Sequence, residues 1–210
     1  MTVGTMCQNT TNIMIDDLVP EFLKFISKPS HLTSACLVNK TFHQCASRLL
    51  YRHIGMYAYK KHATHNVRLL FATLSRSPNL ASFVRSLNIH VFLKCIIDPD
   101  PCLSDVVSAI ENCINLQRCA WTRDGTLNAE VLTALSSCPD LRELEINGRN
   151  DHPDILLKFT KLQSMSIILP NSQVVSLLPT WIALNRDNLT SLALFSHVSF
   201  LPSFVLYFSV

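Results

Sequence analysis

A six-residue phrase recurs along most of the chain. "VRSLNI" (Val84 to Ile89), "LQRCAW" (Leu116 to Trp121), "LRELEI" (Leu141 to Ile146), "LQSMSI" (Leu162 to Ile167) and "LTSLAL" (Leu189 to Leu194) carry apolar residues in the first, fourth and sixth places, with Cys119 and Met165 as soft substitutes. Two places apart is the period of a strand, so the fourth and sixth side chains share one face. Leu87, Ile89, Trp121, Leu144, Ile146, Ile167, Leu192 and Leu194 are therefore expected to point into one continuous core. Successive phrases start 32, 25, 21 and 27 residues apart, a period at which one small supersecondary unit stacks on the next. Such a unit cannot bury its apolar face alone, and a stack of them can.

The segments between phrases read as helices. "NVRLLFATLSRS" has apolar residues at Val67, Leu70, Phe71 and Leu74; "LSDVVSAIENC" at Leu103, Val106, Val107 and Ile110; "LNAEVLTALSSC" at Leu127, Val131, Leu132 and Leu135, each with helical spacing. Pro153 suits the first turn of a shorter helix in "DHPDILLKF". In "NSQVVSLLPTWIAL" Pro179 is expected to break or kink a helix, and Trp181 is expected in the core. Alternating helix and strand implies an α/β solenoid with a parallel sheet and helices on its outer face.

A different pattern precedes the phrases. From Asp16 to Ile54 the chain reads as three short helices. Asp16 or Asp17 can cap the first, which carries Leu18, Phe22, Leu23, Phe25 and Ile26 and is expected to end at Lys28-Pro29-Ser30. Ser30 is the expected cap of the second, where Leu32, Ala35, Cys36, Leu37 and Val38 imply burial on most sides. "TFHQ", Thr41 to Gln44, has the form of a capping box for the third, with Phe42, Cys45, Ala46, Leu49 and Leu50 on one face. Three short helices cannot bury this much apolar surface among themselves, so a partner is implied.

The chemistry available narrows the function. Glycine occurs only at positions 4, 55, 125 and 148, too few to assemble a phosphate-cradling loop. No serine-hydrolase, zinc-protease or zinc-type cysteine spacing occurs, so an enzyme is not expected, nor a cofactor. His62 and His65 could share a helical turn, but no cysteine or acidic residue stands near them in sequence, and no metal site is expected. Eighteen Lys and Arg against fifteen Asp and Glu give a net charge of +3, with Lys60-Lys61 the one adjacent basic pair, which is not a nucleic-acid footprint. Eight cysteines without a CxxC motif, behind an N-terminus lacking the basic and apolar regions of a secretory signal, imply reduced, mostly buried thiols in a cytoplasmic or nuclear protein. Charged residues make up only 16%, well below the usual share, which suggests surface hidden in partners or a fragment of something longer. Leu189 to Val210 carries no charge, but Pro202, His197 and five serines disfavour a membrane tail. The stretch Phe195 to Val210 offers no amphipathic closing helix, so the repeats are expected to stop after Leu194, with the chain incomplete or abnormally ended and the remaining residues packing poorly.

"DDLVPEFLKFISKPSHLTSACLVNKTFHQCASRLLYRHI" resembles an F-box, and together with "SPNLASFVRSLNI" and "WTRDGTLNAEVLTAL" it resembles the F-box-like proteins that continue into irregular leucine-rich repeats. The resemblance implies an F-box-like helical domain over 14–56 and an irregular leucine-rich-repeat solenoid over 57–210. It implies a substrate-recognition subunit of an SCF-type cullin-RING ubiquitin ligase, docking on the Skp adaptor and binding an unidentified protein substrate through its repeats. Carried onto this chain, it places Leu18, Pro20, Phe22, Leu23 and Ile26 on a first adaptor-facing element and Leu32, Cys36, Leu37, Val38 and Phe42 in a second. Arg123 and Asp124, following the strand phrase in "WTRDGT", are a candidate substrate-recognition loop, or else part of a plain turn with Gly125 at positive φ. A leucine-rich-repeat scaffold with no ubiquitin role is the alternative.

Overall fold

The computed structural model describes residues 18–60, 62–91, 101–122, 127–149, 152–195 and 204–207. They fall into two compact units, one ending at His53 and the other beginning at Ile54.

Among the described residues the N-terminal unit contains three helices. Helix α1 is described over residues 18–23 and stops sooner than expected, in a tighter turn where the Phe25 and Ile26 N–H groups donate to the carbonyls of Phe22 and Leu23 (3.2 and 3.0 Å). Pro29 does not close α1; it opens α2 (Pro29–Ala35). Proline favours the first helical turn, where its missing N–H is not needed, and it holds Lys28 extended at φ −90° and ψ 121°. Lys28, not Ser30, is thus the N-cap. Helix α3 (Lys40–Arg52) is capped by Asn39, whose side chain accepts from the Phe42 N–H at 2.9 Å. Thr41 already lies inside the first turn, so the capping box expected of it does not form. Val19, Leu23, Leu32, Ala35 and Ala46 are the buried centre of this unit, with Ile26, Cys36, Phe42, Cys45, Leu49 and Leu50 packed around them.

The second unit is built on a seven-stranded sheet whose spatial order is its sequence order. The strands are β1 (His53–Tyr57), β2 (Ser86–His90), β3 (Arg118–Trp121), β4 (Glu143–Asn147), β5 (Ser164–Ile168), β6 (Ser191–Phe195) and β7 (Phe204–Tyr207). From β2 to β6 every pairing is parallel. Parallel neighbours need a crossover, and α6 (Pro101–Asn112), α7 (Ala129–Ser136), a 3-10 helix (Pro153–Lys158) and α8 (Ser172–Asn185) supply it in turn; α4 (Ala63–Arg76) and the short α5 (Pro78–Ala81) separate β1 from β2. These helices also pack in order, α4 on α6, α6 on α7, α7 on the 3-10 helix and the 3-10 helix on α8.

The phrases align place for place. Leu87, Cys119, Leu144, Met165 and Leu192 are paired across the sheet, as are Ile89, Trp121, Ile146, Ile167 and Leu194. A repeated backbone bond sets this register: the carbonyls of Arg85, Gln117, Arg142 and Gln163, all in the second place, each accept two N–H donors from the next phrase at 2.7–3.1 Å. The first-place residues Val84, Leu116, Leu141, Leu162 and Leu189 are buried too. Of the eight side chains expected in the core, seven are buried; Leu194, in the penultimate strand, is only half-buried.

Trp121 and Trp181 are both buried. The Trp121 ring stacks on Phe71 of α4 with centroids 5.8 Å apart, tying helix layer to sheet. The Trp181 Nε1–H donates to the Phe159 carbonyl at 3.0 Å, joined there by the Asn185 amide at 2.8 Å. Helix α8 runs unbroken through Pro179, contrary to the expectation of a break. Pro179 is exposed, so its ring meets water on the outer side while Val174, Leu178, Trp181 and Asn185 anchor the inner face. Gly148, just past β4, is a position where a side chain has no room: a Cβ there would lie 2.6 Å from Pro170 Cα.

The C-terminal end departs from expectation. The sheet does not stop at β6, because β7 pairs with it antiparallel, Ser191 opposite Tyr207 and Leu194 opposite Phe204. An antiparallel return needs no crossover helix, so the absence of an amphipathic segment does not prevent another strand. Proline is tolerated beside or at the start of an edge strand, and Pro202 precedes β7 in sequence.

Candidate interaction surfaces

Two surfaces stand apart from the packed core. On the helical unit, Val19 and Leu23 turn inward, and the residues alternating with them do not. Leu18, Phe22 and Phe25 are 52%, 68% and 87% exposed, and Leu37 and Val38, just past α2, are 84% and 62% exposed. The expectation that the second helix is buried on most sides therefore fails, because α2 ends at Ala35 and only Leu32 and Ala35 are buried along it. The ten residues singled out for adaptor contact divide accordingly. Leu23 and Leu32 are buried, Pro20, Ile26, Cys36 and Phe42 are half-buried, and Leu18, Phe22, Leu37 and Val38 face outward. Phe25 joins the outward set, at helical spacing from Leu18 and Phe22. A depression of about 440 Å³, bordered by Ile26, Pro29, Leu32, Leu49 and Leu50, opens in the same unit.

The second surface is the sheet face that carries the third and fifth places of the phrase. These places alternate with the apolar ones and point to the opposite face of the sheet, where Ser86, Ala120 and Ala193 are nonetheless buried. Arg118, Glu143 and Ser164 stand side by side in the third place, and Ala120, Glu145 and Ser166 in the fifth. They border a shallow depression of about 390 Å³ that also takes in Asn88 and His90. Arg118 donates from Nε to Glu143 Oε2 at 2.7 Å, with its second nitrogen 2.6 Å from the same oxygen. This hydrogen bond, and then the charge behind it, push the guanidinium pKa further up. Both side chains are largely exposed, so the pair contributes little to stability. His90 is held by stacking on Tyr57, centroids 5.1 Å apart, and by Thr122 Oγ1 2.7 Å from its Nδ1. Sequence reasoning missed this face because it followed the apolar places; the polar places between them were the available signal.

Arg123 and Asp124 lie outside the described residues, directly after Thr122 at the end of β3. His62 stands at the N-terminus of α4 in the left-handed conformation, φ 56°, and among the described residues no three metal-ligating side chains come together. Cys36, Cys45, Cys102, Cys113, Cys119 and Cys138 are free thiols. Burial, reinforced by Cys138, pushes the Cys113 thiol up to about 12; burial, reinforced by Glu111, pushes Cys138 up to about 12 as well. Cys119 is raised further, again chiefly by burial. Thiols held protonated in this way are packing groups, not nucleophiles. Among the described residues no helix is long and apolar enough to cross a membrane.

No model of a known protein family matches the chain, and no curated protein matches it. The fold and surfaces define an α/β protein with a helical N-terminal unit, an ordered sheet, and two exposed faces suited to contact.

Proposed function

We propose that the chain is the substrate-recognition subunit of an SCF-type cullin-RING ubiquitin ligase, its F-box-like helices docking on the Skp adaptor and its leucine-rich-repeat-like solenoid holding the target protein. One observation carries the reading: the helical unit leaves Leu18, Phe22, Phe25, Leu37 and Val38 exposed after its own core has closed. Large apolar side chains gathered on so small a unit are what a docked partner would cover. The phrase-by-phrase register of the sheet supports the solenoid, since a common frame with variable outward places is how such arrays vary their targets. The protein acts without chemistry of its own, in the cytoplasm or nucleus.

The test is capture of the adaptor by the purified chain. Phe22→Glu combined with Leu37→Glu changes two exposed residues, so the helical unit keeps its core. Hot-spot truncations cost about 2 kcal/mol or more each, so binding is expected to fall more than tenfold. Capture undiminished in the double variant, or no capture by the unaltered chain, would refute docking and leave a repeat scaffold with no ubiquitin role.

A further inference from the structure

Among the described residues, the sheet face that carries the third and fifth places holds a carboxylate with no counterpart. Two glutamates and one arginine lie close together on β3 and β4, and Arg118 directs both of its contacting nitrogens to Glu143. Glu145, half-buried, has no hydrogen bond or ion pair among the described residues. Its neighbours across the strands are Ala120 on β3, itself buried, and Ser166 on β5, both shorter than Glu145. Glu145 therefore reaches further from the sheet than its neighbours and borders the depression of about 390 Å³ that His90 borders on the β2 side. A carboxylate partly withdrawn from water and left unpaired gains more from an arriving cation than a fully exposed one does.

We infer that this face binds an extended peptide segment bearing lysine or arginine, with the cationic side chain reaching Glu145. The Asn88 amide and the Ser164 and Ser166 hydroxyls border the same depression and supply donors and acceptors for the segment's backbone. An acidic segment would meet Glu145 and Glu143, with the nearby guanidinium already engaged. The inference names the class of target that the receptor reading leaves open, and it rests on that reading for its biological role alone.

The experiment leaves the adaptor out, so its failure is separate from failure of docking. Two labelled peptides of equal length, one of alternating serine and lysine and one of alternating serine and glutamate, are titrated with the full chain and followed by fluorescence anisotropy. The chain carries a net charge of +3, so undirected attraction would favour the acidic peptide; preference for the lysine peptide reports a local site. Glu145→Gln should weaken the lysine peptide about tenfold, the scale of one hydrogen bond to a charged group. Ala120→Lys should weaken it similarly by supplying a cation from within. Equal binding of the two peptides, preference for the acidic one, or affinity unchanged by Glu145→Gln would overturn the inference. Should Ala120→Lys fail to fold, the isosteric Glu145→Gln decides alone.

Discussion

The three raised thiols have a consequence for pH. Burial pushes the Cys113 and Cys138 thiols up to about 12 in the folded chain, from an ordinary value of about 9. The folded state therefore holds its thiol protons longer than the unfolded state. A raised folded value means the stabilisation is complete below the unfolded pKa and is lost as pH rises toward the folded one. Stability should thus fall from about pH 9 upward, with a limiting slope of about 1.4 kcal/mol per pH unit for each thiol. Urea denaturation at several pH values between 8 and 11 checks this, comparing the chain with its Cys113→Ala variant. The variant should show a shallower decline, and parallel curves would disprove the assignment.

Among the elements, α8 carries a local fault that its packing overrides. Pro179 removes one N–H from the helical ladder, leaving the carbonyl four residues earlier without its intrahelical donor. Four inward residues, two of them bonded through Trp181 and Asn185 to the same Phe159 carbonyl, hold the helix together across the gap. Since Pro179 is exposed, Pro179→Ala should restore the bond without opening a cavity. The helical gain of about 3 kcal/mol is offset by roughly 1 kcal/mol of unfolded-state entropy. A net stabilisation of about 2 kcal/mol in a urea titration is expected, and a destabilised variant would show that the proline ring itself is needed. The helix caps teach a related lesson. Ser30, Thr41, Asn39 and Pro29 are all acceptable near helix starts, and the backbone conformation set by packing chose among them.

Across the whole molecule, position in the sheet decides what a repeated residue contributes. Ile146 is buried between β3 and β5, whereas Leu194, in the same place of the last phrase, stands half-buried beside the antiparallel β7. Ile146→Ala should cost about 2–5 kcal/mol, and Leu194→Ala about half that or less, because a partly open site can collapse or admit water. Chemical denaturation of the two variants tests the ranking; equal losses would mean that β7 covers its neighbour as completely as an inner strand does.

The phrase by itself determined the strands β2 to β6, the face each presents to the core, and the need for helices between them. Period-two apolarity at a regular interval leaves a chain few other ways to bury its side chains. It was silent on β1 and β7, whose segments "HIGMY" and "FVLY" lack the phrase and become strands through a neighbouring edge. The sequence also predicted an apolar excess in the N-terminal helices. Only tertiary packing sorted Leu23 and Leu32 inward from Phe22 and Leu37 outward, since the choice depends on where three helix axes meet. The lone carboxylate of Glu145 likewise came from the fold. Arg118 could have served either glutamate by charge, and the strand register that sets it opposite Glu143 left Glu145 between Ala120 and Ser166.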